Sequence, residues 1–486
     1  MTALALVVYA VLLAVAAVVV WRRPVAALYV FVVGLAVHNA AMDALYAGGI
    51  RGDALTAIQA WKDVLLLIGL ARVAFDAVRA RRLPFRPLVP DALALGFALI
   101  VVLYALIPQD ALDGHATHKA VAYALRHDLI GVGAYFLGRA VVPRLRDVRP
   151  LVLAVAAAVA AWGLIDVYAI HLDWWRHNGT VGYFRDQLGF DYGPGLSGLP
   201  DNFVYNNGNE QELTRRLIST FLSPLGSAYL SAFALLLAPR TRLAFPLVLL
   251  VAAGLLWTHT RAALIGLAVG FAILAAVSRR AWPLAAAGAT LAIGFAFLAV
   301  FPDIGPRAHF TSRELAYQRA QAHKAAPTRL EPSAESHLSE LWDGIRTVTE
   351  HPQGYGLGNA GEVAFREGVP LKAGESNYTE LGVETGLLGA LLFSAWNLAL
   401  LVSLVRARRA ALAAALAAVL VVAIQTDAYG IPWLAYCVWW LAASGPTNEH
   451  RSARRHRPRS PQGERYRSRA RVLQRRARLR GDAADG

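Results

Sequence analysis

Residues 2–20 read TALALVVYAVLLAVAAVVV, a run of nineteen residues that contains no charge. About 20 apolar residues in a helix cross the roughly 30 Å hydrocarbon core of a bilayer, so this run predicts a membrane-spanning helix. Comparable runs predict spans at residues 2–20, 24–38, 54–75, 89–107, 120–141, 150–170, 217–238, 243–258, 262–278, 282–301, 377–404, 410–426 and 429–443. Because the last two are short, the expected fold is an all-α polytopic membrane protein with 12 or 13 transmembrane helices.

The composition indicates the same class of protein. Of 486 residues, 56% are hydrophobic and 17% are charged, which is far too apolar for a disordered chain. The single cysteine, Cys437, excludes an intrachain disulfide, a CxxC pair and a thiolate zinc site. The net charge of +15 is concentrated in residues 444–486, where 13 Arg stand against four acidic residues, a net +9. We therefore expect a disordered basic tail, and no nucleic-acid partner.

Lys and Arg are unequally distributed between alternate connections. One set of short loops carries 17 Arg, whereas the short loops of the opposite set carry only Arg51, Lys119 and Arg261. Positive charge favours the cytoplasmic side, so we expect the N-terminus outside and the tail in the cytoplasm. The implied segments are 1–170 (N-terminal transmembrane helices), 171–216 (first outer loop), 217–301 (central transmembrane helices), 302–376 (second outer, catalytic loop), 377–443 (C-terminal transmembrane helices) and 444–486 (disordered basic cytoplasmic tail).

The second outer loop contains an amphipathic pattern. Leu338, Leu341, Trp342, Ile345 and Val348 recur at helical spacing before a proline at position 352. We expect this helix to lie over the mouth of the membrane domain.

Several ionisable residues lie in the outer half of the predicted spans or at their outer ends. Charges inside a span are costly and are functional hypotheses by default. The cationic candidates are Lys62, Arg126, Arg216 and Arg261. Because guanidinium groups offer a fixed bidentate fork, we expect an outer-face site for a phosphate or diphosphate, whose natural carrier is a phosphorylated lipid.

Other motifs are missing or weak. The sequence has no GxxxxGK[ST] loop and no cytoplasmic loop long enough to fold into a nucleotide-binding domain. Residues 356–361 fit GxGxxG but follow a predicted helix in an outer loop, which indicates turn chemistry. The histidines show no metal-ligand spacing, so we expect no metal and no cofactor.

Four stretches carry a resemblance to a known family. They are HPQGYGLGNAG (351–361), GESNYTELGVETGLLGALLF (374–393), RLISTFLSPLGSAYL (216–230) and THTRAALIG (258–266). In this order, they resemble the O-antigen ligase and O-antigen polymerase superfamily of bacterial membrane glycosyltransferases. The resemblance covers nearly all of residues 1–443.

The resemblance implies a GT-C-like fold in the bacterial plasma (inner) membrane and a role in cell-envelope polysaccharide biosynthesis. It implies two substrates, an undecaprenyl-diphosphate-linked oligosaccharide and a glycan or lipid-glycan acceptor, besides contacts with membrane lipids. Arg261 matches the family's arginine that binds the lipid diphosphate, and Arg216 matches a second one. Glu375 and Ser376 stand where ligases carry a His-Asn pair, which favours a polymerase over a ligase and leaves both open.

The expected chemistry follows from the leaving group. A sugar on a lipid diphosphate needs cations for the developing phosphate charge and one base for the acceptor hydroxyl. We expect Glu375, or His337 as second choice, to be the base, while Arg261, Arg216, Arg126 and Lys62 bind the diphosphate. In-line attack would invert the anomeric centre without metal. The alternative is a transporter or flippase of lipid-linked oligosaccharides, for which polar residues along a whole path are typical.

Overall fold

The computed structural model of the protein describes residues 2–206, 212–322, 332–372 and 376–445. Its helices are α1 (Thr2–Arg22), α2 (Val25–Ala47), α3 (Asp53–Gln59), α4 (Trp61–Ala80), α5 (Val89–Leu106), α6 (His118–Ala140), α7 (Leu145–Ala169), α8 (Leu172–His177), α9 (Thr180–Gly182), α10 (Pro224–Leu237), α11 (Phe245–Trp257), α12 (Arg261–Ser278), α13 (Trp282–Ile304), α14 (Ser312–Ala322), α15 (Pro332–Glu350), α16 (Gly361–Arg366), α17 (Asn377–Arg406), α18 (Ala410–Val422) and α19 (Pro432–Ser444). The strands are β1 (Val204–Asn206), β2 (Glu212–Arg215) and β3 (Arg307–His309). The predicted basic tail lies outside the described residues from position 446 onward.

In the part of the chain that the structure describes, seven helices are long and apolar enough to cross a membrane, as in a multi-pass membrane protein. They are α1, α2, α5, α7, α12, α13 and α17. The number rises to eight if α3 and α4, which meet at a bend of 42°, count as one broken span. Every one of the thirteen stretches predicted from the sequence contains a helix.

Several of the predicted spans correspond, among the described residues, to helices that are shorter or more charged than a typical full-length span. Helices α10, α11, α18 and α19 have 13 or 14 residues. At 1.5 Å per residue they cover only about 20 Å of a roughly 30 Å core. Helix α6 is long enough but carries Lys119, Arg126, Asp128 and Arg139. Some predicted spans include turn residues that are not helical. Helix α19, for example, begins only at Pro432, three residues after the start of the predicted span.

Connections that are predicted to lie on one side of the membrane do meet in the structure. On the side predicted to be outer, the backbone N–H of Gly52 donates to Gln187 at 2.8 Å and that of His115 donates to Asn359 at 2.7 Å. On the opposite side, the Arg139 side chain donates to the Arg86 carbonyl at 2.7 Å. The alternation of loops between two faces therefore agrees with the predicted order.

A small sheet, which an all-α expectation does not include, joins the two long loops that are predicted to be outer. Strand β2 pairs antiparallel with β1 from the first loop and with β3 from the second. Trp175, Tyr183 and Phe203 of the first loop are buried in a second apolar core, which the loop shares with α2 and α3. These loops are therefore folded structures that are fixed to each other.

Helix α15 confirms the amphipathic helix predicted in the second loop, which ends before the proline. It packs on α17, where Val348 faces Gly382 and Gly344 faces Thr379. Trp342 is 67% exposed on the other side of the helix. Helix α15 therefore covers the start of α17, the helix that carries Glu380 and Glu384.

The last predicted span, 429–443, lies at the centre of the helix bundle. The indoles of Trp433, Trp439 and Trp440 are fully buried in α19. Helix α19 packs along α6, and the two backbones approach closely at Gly138. A Cβ atom at Gly138 would overlap the carbonyl oxygen of Trp440, so glycine is required there.

This close approach predicts a difference between two identical substitutions. Gly138→Ala should lower the stability of the protein by about 1–3 kcal/mol, because backbone atoms must move apart. Gly288→Ala in α13 is the matched control, since no neighbouring side chain or helix lies within 4 Å of the position that its Cβ atom would occupy. Thermal unfolding in detergent measures both. Equal unfolding temperatures for the two variants would contradict the α6–α19 packing.

Candidate functional site

The residues predicted to bind an anion fall into two groups in the structure. Lys62 and Arg126 lie together between α4 and α6, whereas Arg216 and Arg261 lie together beside the α11–α12 turn. Of the two predicted bases, Glu375 lies outside the described residues. His337 belongs to α15, and its side chain is not among those described.

Both cations of the first group have partners within the protein. Both Arg126 nitrogens Nε and Nη2 donate to the Asp63 carboxylate at 3.0 Å, and that carboxylate also accepts from the Tyr436 hydroxyl at 2.6 Å. Lys62 is buried at the α3–α4 break, where it donates to the Gln59 carbonyl at 2.8 Å. Its Nζ atom lies 3.3 Å from the His38 ring. These contacts give Arg126 an ion-pair partner and Lys62 neutral ones.

The second group lies at the turn formed by Thr258, His259 and Thr260. We call these three residues, together with Arg216 and Arg261, the arginine turn. The Nε atom of Arg216 donates to the Thr258 carbonyl at 2.9 Å, and its Nη2 atom donates to the Thr260 hydroxyl at 3.2 Å. In the described part of the chain these partners are neutral, so they orient the guanidinium without cancelling its charge. Burial and the neighbouring Arg261 lower the pKa of Arg216 to about 10, so it remains charged at pH 7.

Arg261 is the first residue of α12, and its charge adds to the positive end of the helix dipole. The neighbouring Arg215 has a different role, because its guanidinium pairs with the buried carboxylate of Asp166 at 3.3 Å. Of the two adjacent arginines, Arg215 therefore fixes the loop to α7, and Arg216 points to the turn. The side chains of Arg216 and Arg261 therefore lie together at the N-terminus of α12, where the free backbone N–H groups of the helix also favour an anion.

His259 lies at the centre of the arginine turn. Its ring is stacked against Phe301 at a centroid distance of 4.8 Å and lies 4.2 Å from the ring of Tyr205. Burial, together with the charges of Arg216 and Arg261, lowers the pKa of His259 to about 4. The imidazole is therefore neutral at physiological pH and does not add to the repulsion between the two arginines.

A second cluster was not predicted from the sequence. We call His127, Asp128, Glu380, Glu384 and Asp427 the acidic cluster. His127 bridges two of its carboxylates, with Nδ1 at 2.9 Å from Asp128 and Nε2 at 3.0 Å from Asp427. These residues come from α6, α17 and the loop between α18 and α19.

The glycine-rich turn 354–361 closes over the acidic cluster. The backbone N–H of Gly358 donates to a Glu384 carboxylate oxygen at 2.7 Å. Gly361, which has a positive φ of 60°, lies so close to the Glu380 carboxylate that a Cβ atom would overlap it. The turn that resembles a nucleotide-binding motif is therefore a backbone cover for two buried carboxyl groups.

The arginine turn and the acidic cluster are linked through α10. Tyr229 interacts electrostatically with Arg216, and its hydroxyl forms a hydrogen bond with the Thr426 hydroxyl at 2.9 Å. Thr426 directly precedes Asp427, whose Oδ1 atom accepts from Asn377 at 2.6 Å. Tyr229 therefore lies between the arginine turn and the acidic cluster.

No protein-family model matches this chain, and no curated protein matches it. Function is therefore inferred from the geometry of the arginine turn and the acidic cluster.

The sequence does not predict the acidic cluster, because the members of the cluster are far apart in the chain. His127 and Asp128 are charges within the predicted span 120–141, and Glu384 lies within the stretch 374–393 that carries part of the family resemblance. Asp427 lies between the last two predicted spans, where no spacing rule connects it to the others. The sequence feature that points to these residues is the presence of ionisable side chains in predicted spans, because burying such side chains in a membrane domain is costly.

The lowered pKa of His259 predicts how stability depends on pH. In the unfolded chain a histidine titrates near 6.5, so the unfolded state takes up a proton as the pH falls from about 6.5 to 4 and the folded state does not. His259 therefore contributes a loss of stability of about 3 kcal/mol over this range, which is complete below pH 4. His259→Phe should remove this component, so that its unfolding temperature falls less between pH 7 and pH 4 than that of the unmodified protein. Parallel pH profiles would contradict the buried neutral histidine.

Proposed function

We propose that this protein is a membrane glycosyltransferase that moves a glycan from a polyprenyl-diphosphate donor to an acceptor hydroxyl at the outer face of the plasma membrane. The observation that carries the proposal is the convergence of Arg216 and Arg261 at the N-terminus of α12. Their position suits a diphosphate headgroup whose lipid tail remains in the bilayer. The motif resemblance adds the substrate class.

The chemistry requires stabilisation of a leaving diphosphate. As the glycosidic C–O bond breaks, negative charge develops on the departing phosphate oxygen, and the two guanidinium groups stabilise it. The neutral partners of Arg216 fix its orientation before the substrate arrives. The acceptor oxygen forms the new bond to the anomeric carbon from the opposite side, which inverts that centre.

The acceptor proton requires a base near the anomeric carbon. We propose Glu375 for this role, with His337 as second choice. The chain immediately after Glu375 supports this choice, because the side chain of Asn377 donates to Asp427 in the acidic cluster. Lys62 and Arg126 support the fold of the outer side, since both are engaged by groups of the protein.

We further propose a GT-C-like arrangement in a bacterial plasma membrane, with the shorter helices completing 12 or 13 spans. The excess of Arg in alternate loops supports an outer N-terminus and a cytoplasmic basic tail. Polymerase and ligase activity differ in the acceptor, and Glu375 at the position of the ligase histidine favours a polymerase.

One observation favours a second candidate function, the transport of a lipid-linked oligosaccharide. Helices α3 and α4 form a broken span, and α17 is interrupted at Gly386, where φ is 69°. Broken helices beside buried charges are typical of transporters. Both breaks have a local reason here, because Lys62 binds a carbonyl freed at the first break and the Gly386 backbone adjoins the Gly354 turn.

A transfer assay with purified protein tests the proposal. A diphosphate-linked oligosaccharide repeat incubated in detergent should give a ladder of multiples for a polymerase, or single transfer to an added acceptor for a ligase. Arg216→Ala and Arg261→Ala should each lower the rate about 10²–10³-fold, because each removes stabilisation of the leaving group. Arg346→Ala is the control, since its side chain is 75% exposed on α15.

The same assay tests the base. Glu375→Gln or His337→Ala should lower the rate, and full activity of both variants would overturn these assignments. Absence of any new glycosidic bond, together with movement of intact donor across proteoliposome membranes, would replace the enzyme with the transporter.

A further inference from the structure

We propose that His127, Glu380 and Asp427 form a binding site for one divalent cation. Each residue offers one ligand atom, and these three atoms all lie within 4.8 Å of one another. The site would lie in the part of the protein predicted to face outward, with an imidazole nitrogen and two carboxylate oxygens as ligands. Sequence spacing predicts no such site, because the three ligands come from three separate segments.

The closest pair of ligand atoms has the separation that a shared ion requires. The Nε2 atom of His127 lies 3.0 Å from the Oδ2 atom of Asp427. Two ligands about 2.1 Å from one metal at a right angle are about 3 Å apart. A cation can therefore enter between them with little movement of either side chain.

The groups behind the ligands are arranged as in known metal sites. His127 uses its other nitrogen, Nδ1, for a 2.9 Å contact with the carboxylate of Asp128. Such a carboxylate–histidine pair fixes the tautomer in which Nε2 is free to bind a metal. Asp427 is held through its other oxygen, Oδ1, which accepts from Asn377 at 2.6 Å and from the Gly430 N–H at 2.8 Å. The two atoms that face the site, His127 Nε2 and Asp427 Oδ2, contact each other, and a bound ion would replace this contact.

Glu380 provides the independent indication that something binds here. The residue is 2% exposed, and its Oε2 atom has no hydrogen-bond partner in the described part of the protein. Burying a carboxyl oxygen without a partner is unfavourable, because the group loses its hydration and gains no interaction in return. A metal ion between Glu380, His127 and Asp427 would supply the missing interaction.

The charge of the acidic cluster also favours a cation. Four carboxyl groups interact electrostatically within it, against one imidazole. Asp128 and Glu384 interact directly and can share one proton. A divalent ion would offset the negative charges that Glu380 and Asp427 carry as ligands.

The backbone around the site leaves room for the ligands at two glycines. A Cβ at Gly361 would overlap the Glu380 carboxylate, and a Cβ at Gly430 would overlap that of Asp427. The side chains of His127 and Asp427 remain 13% and 10% exposed, so an ion can reach them. A mixed set of one nitrogen and two oxygens suits Mn²⁺ or Zn²⁺ better than Ca²⁺ or Mg²⁺, whose ligands are oxygens.

Manganese is the probe for the test. Full-length protein purified in detergent, with a tag that contains no histidine, is stripped with a chelator and titrated with Mn²⁺. Loss of the free-ion electron paramagnetic resonance signal should show one Mn²⁺ bound per chain, which Zn²⁺ displaces. Pulsed measurements should detect coupling to an imidazole nitrogen, and this coupling should disappear in His127→Gln.

Two conservative variants identify the ligands. Glu380→Gln and Asp427→Asn should each weaken Mn²⁺ binding at least about 10-fold. Asp43→Asn is the matched control and should bind like the unmodified protein, because Asp43 is another buried carboxylate, bonded to Thr180 at 3.0 Å. Unfolding of each stripped variant verifies that it is folded.

The titration of the unmodified protein can overturn the proposal by itself. No saturable binding, or binding without nitrogen coupling, would mean that protons rather than a metal neutralise the acidic cluster. Binding that both ligand variants retain unchanged would place the ion elsewhere. Metal binding and glycosyl transfer are measured separately, so either can fail without the other.

Discussion

The structure depends on the cost of placing charged side chains inside an apolar helix bundle. Two arginines of α6 are paired with carboxylates: Arg126 binds the Asp63 carboxylate, and Arg139 binds Asp91 at 2.7 Å. The first pair joins α4 to α6, and the second joins the consecutive helices α5 and α6. Where pairing is incomplete, as at Glu380, the same cost indicates a ligand.

The proposed site follows from how the outer connections are tied together. Strand β2 joins both long loops, and the residue after it, Arg216, is held by the α11–α12 turn. The glycine turn brings backbone N–H groups to α17, and Asn377 ties the start of that helix to Asp427. Cationic and acidic groups are thereby fixed on either side of Tyr229, which suits a reaction that separates a diphosphate from a sugar.

The sequence was sufficient for the positions of the helices and for the alternation of the loops. Both follow from local properties, namely apolar length and the distribution of Arg. The sequence overestimated span length, because turns and Pro432 shorten helices whose composition remains apolar. It predicts one set that contains Arg216, Arg261 and Arg126, whereas the structure places Arg126 apart from the other two, paired with Asp63. The residues of the acidic cluster come from three segments that are distant in the chain, so no local sequence pattern predicts the cluster.

The central claim is that Arg216 and Arg261 recognise a lipid diphosphate. The most direct measurement compares the affinities of purified protein for a polyprenyl diphosphate and for the corresponding monophosphate, with identical lipid tails. We expect the diphosphate to bind at least about 10-fold more tightly, because it can engage both guanidinium groups, and we expect Arg261→Ala to remove this preference. Equal affinities, or a preference that survives in Arg261→Ala, would contradict the account.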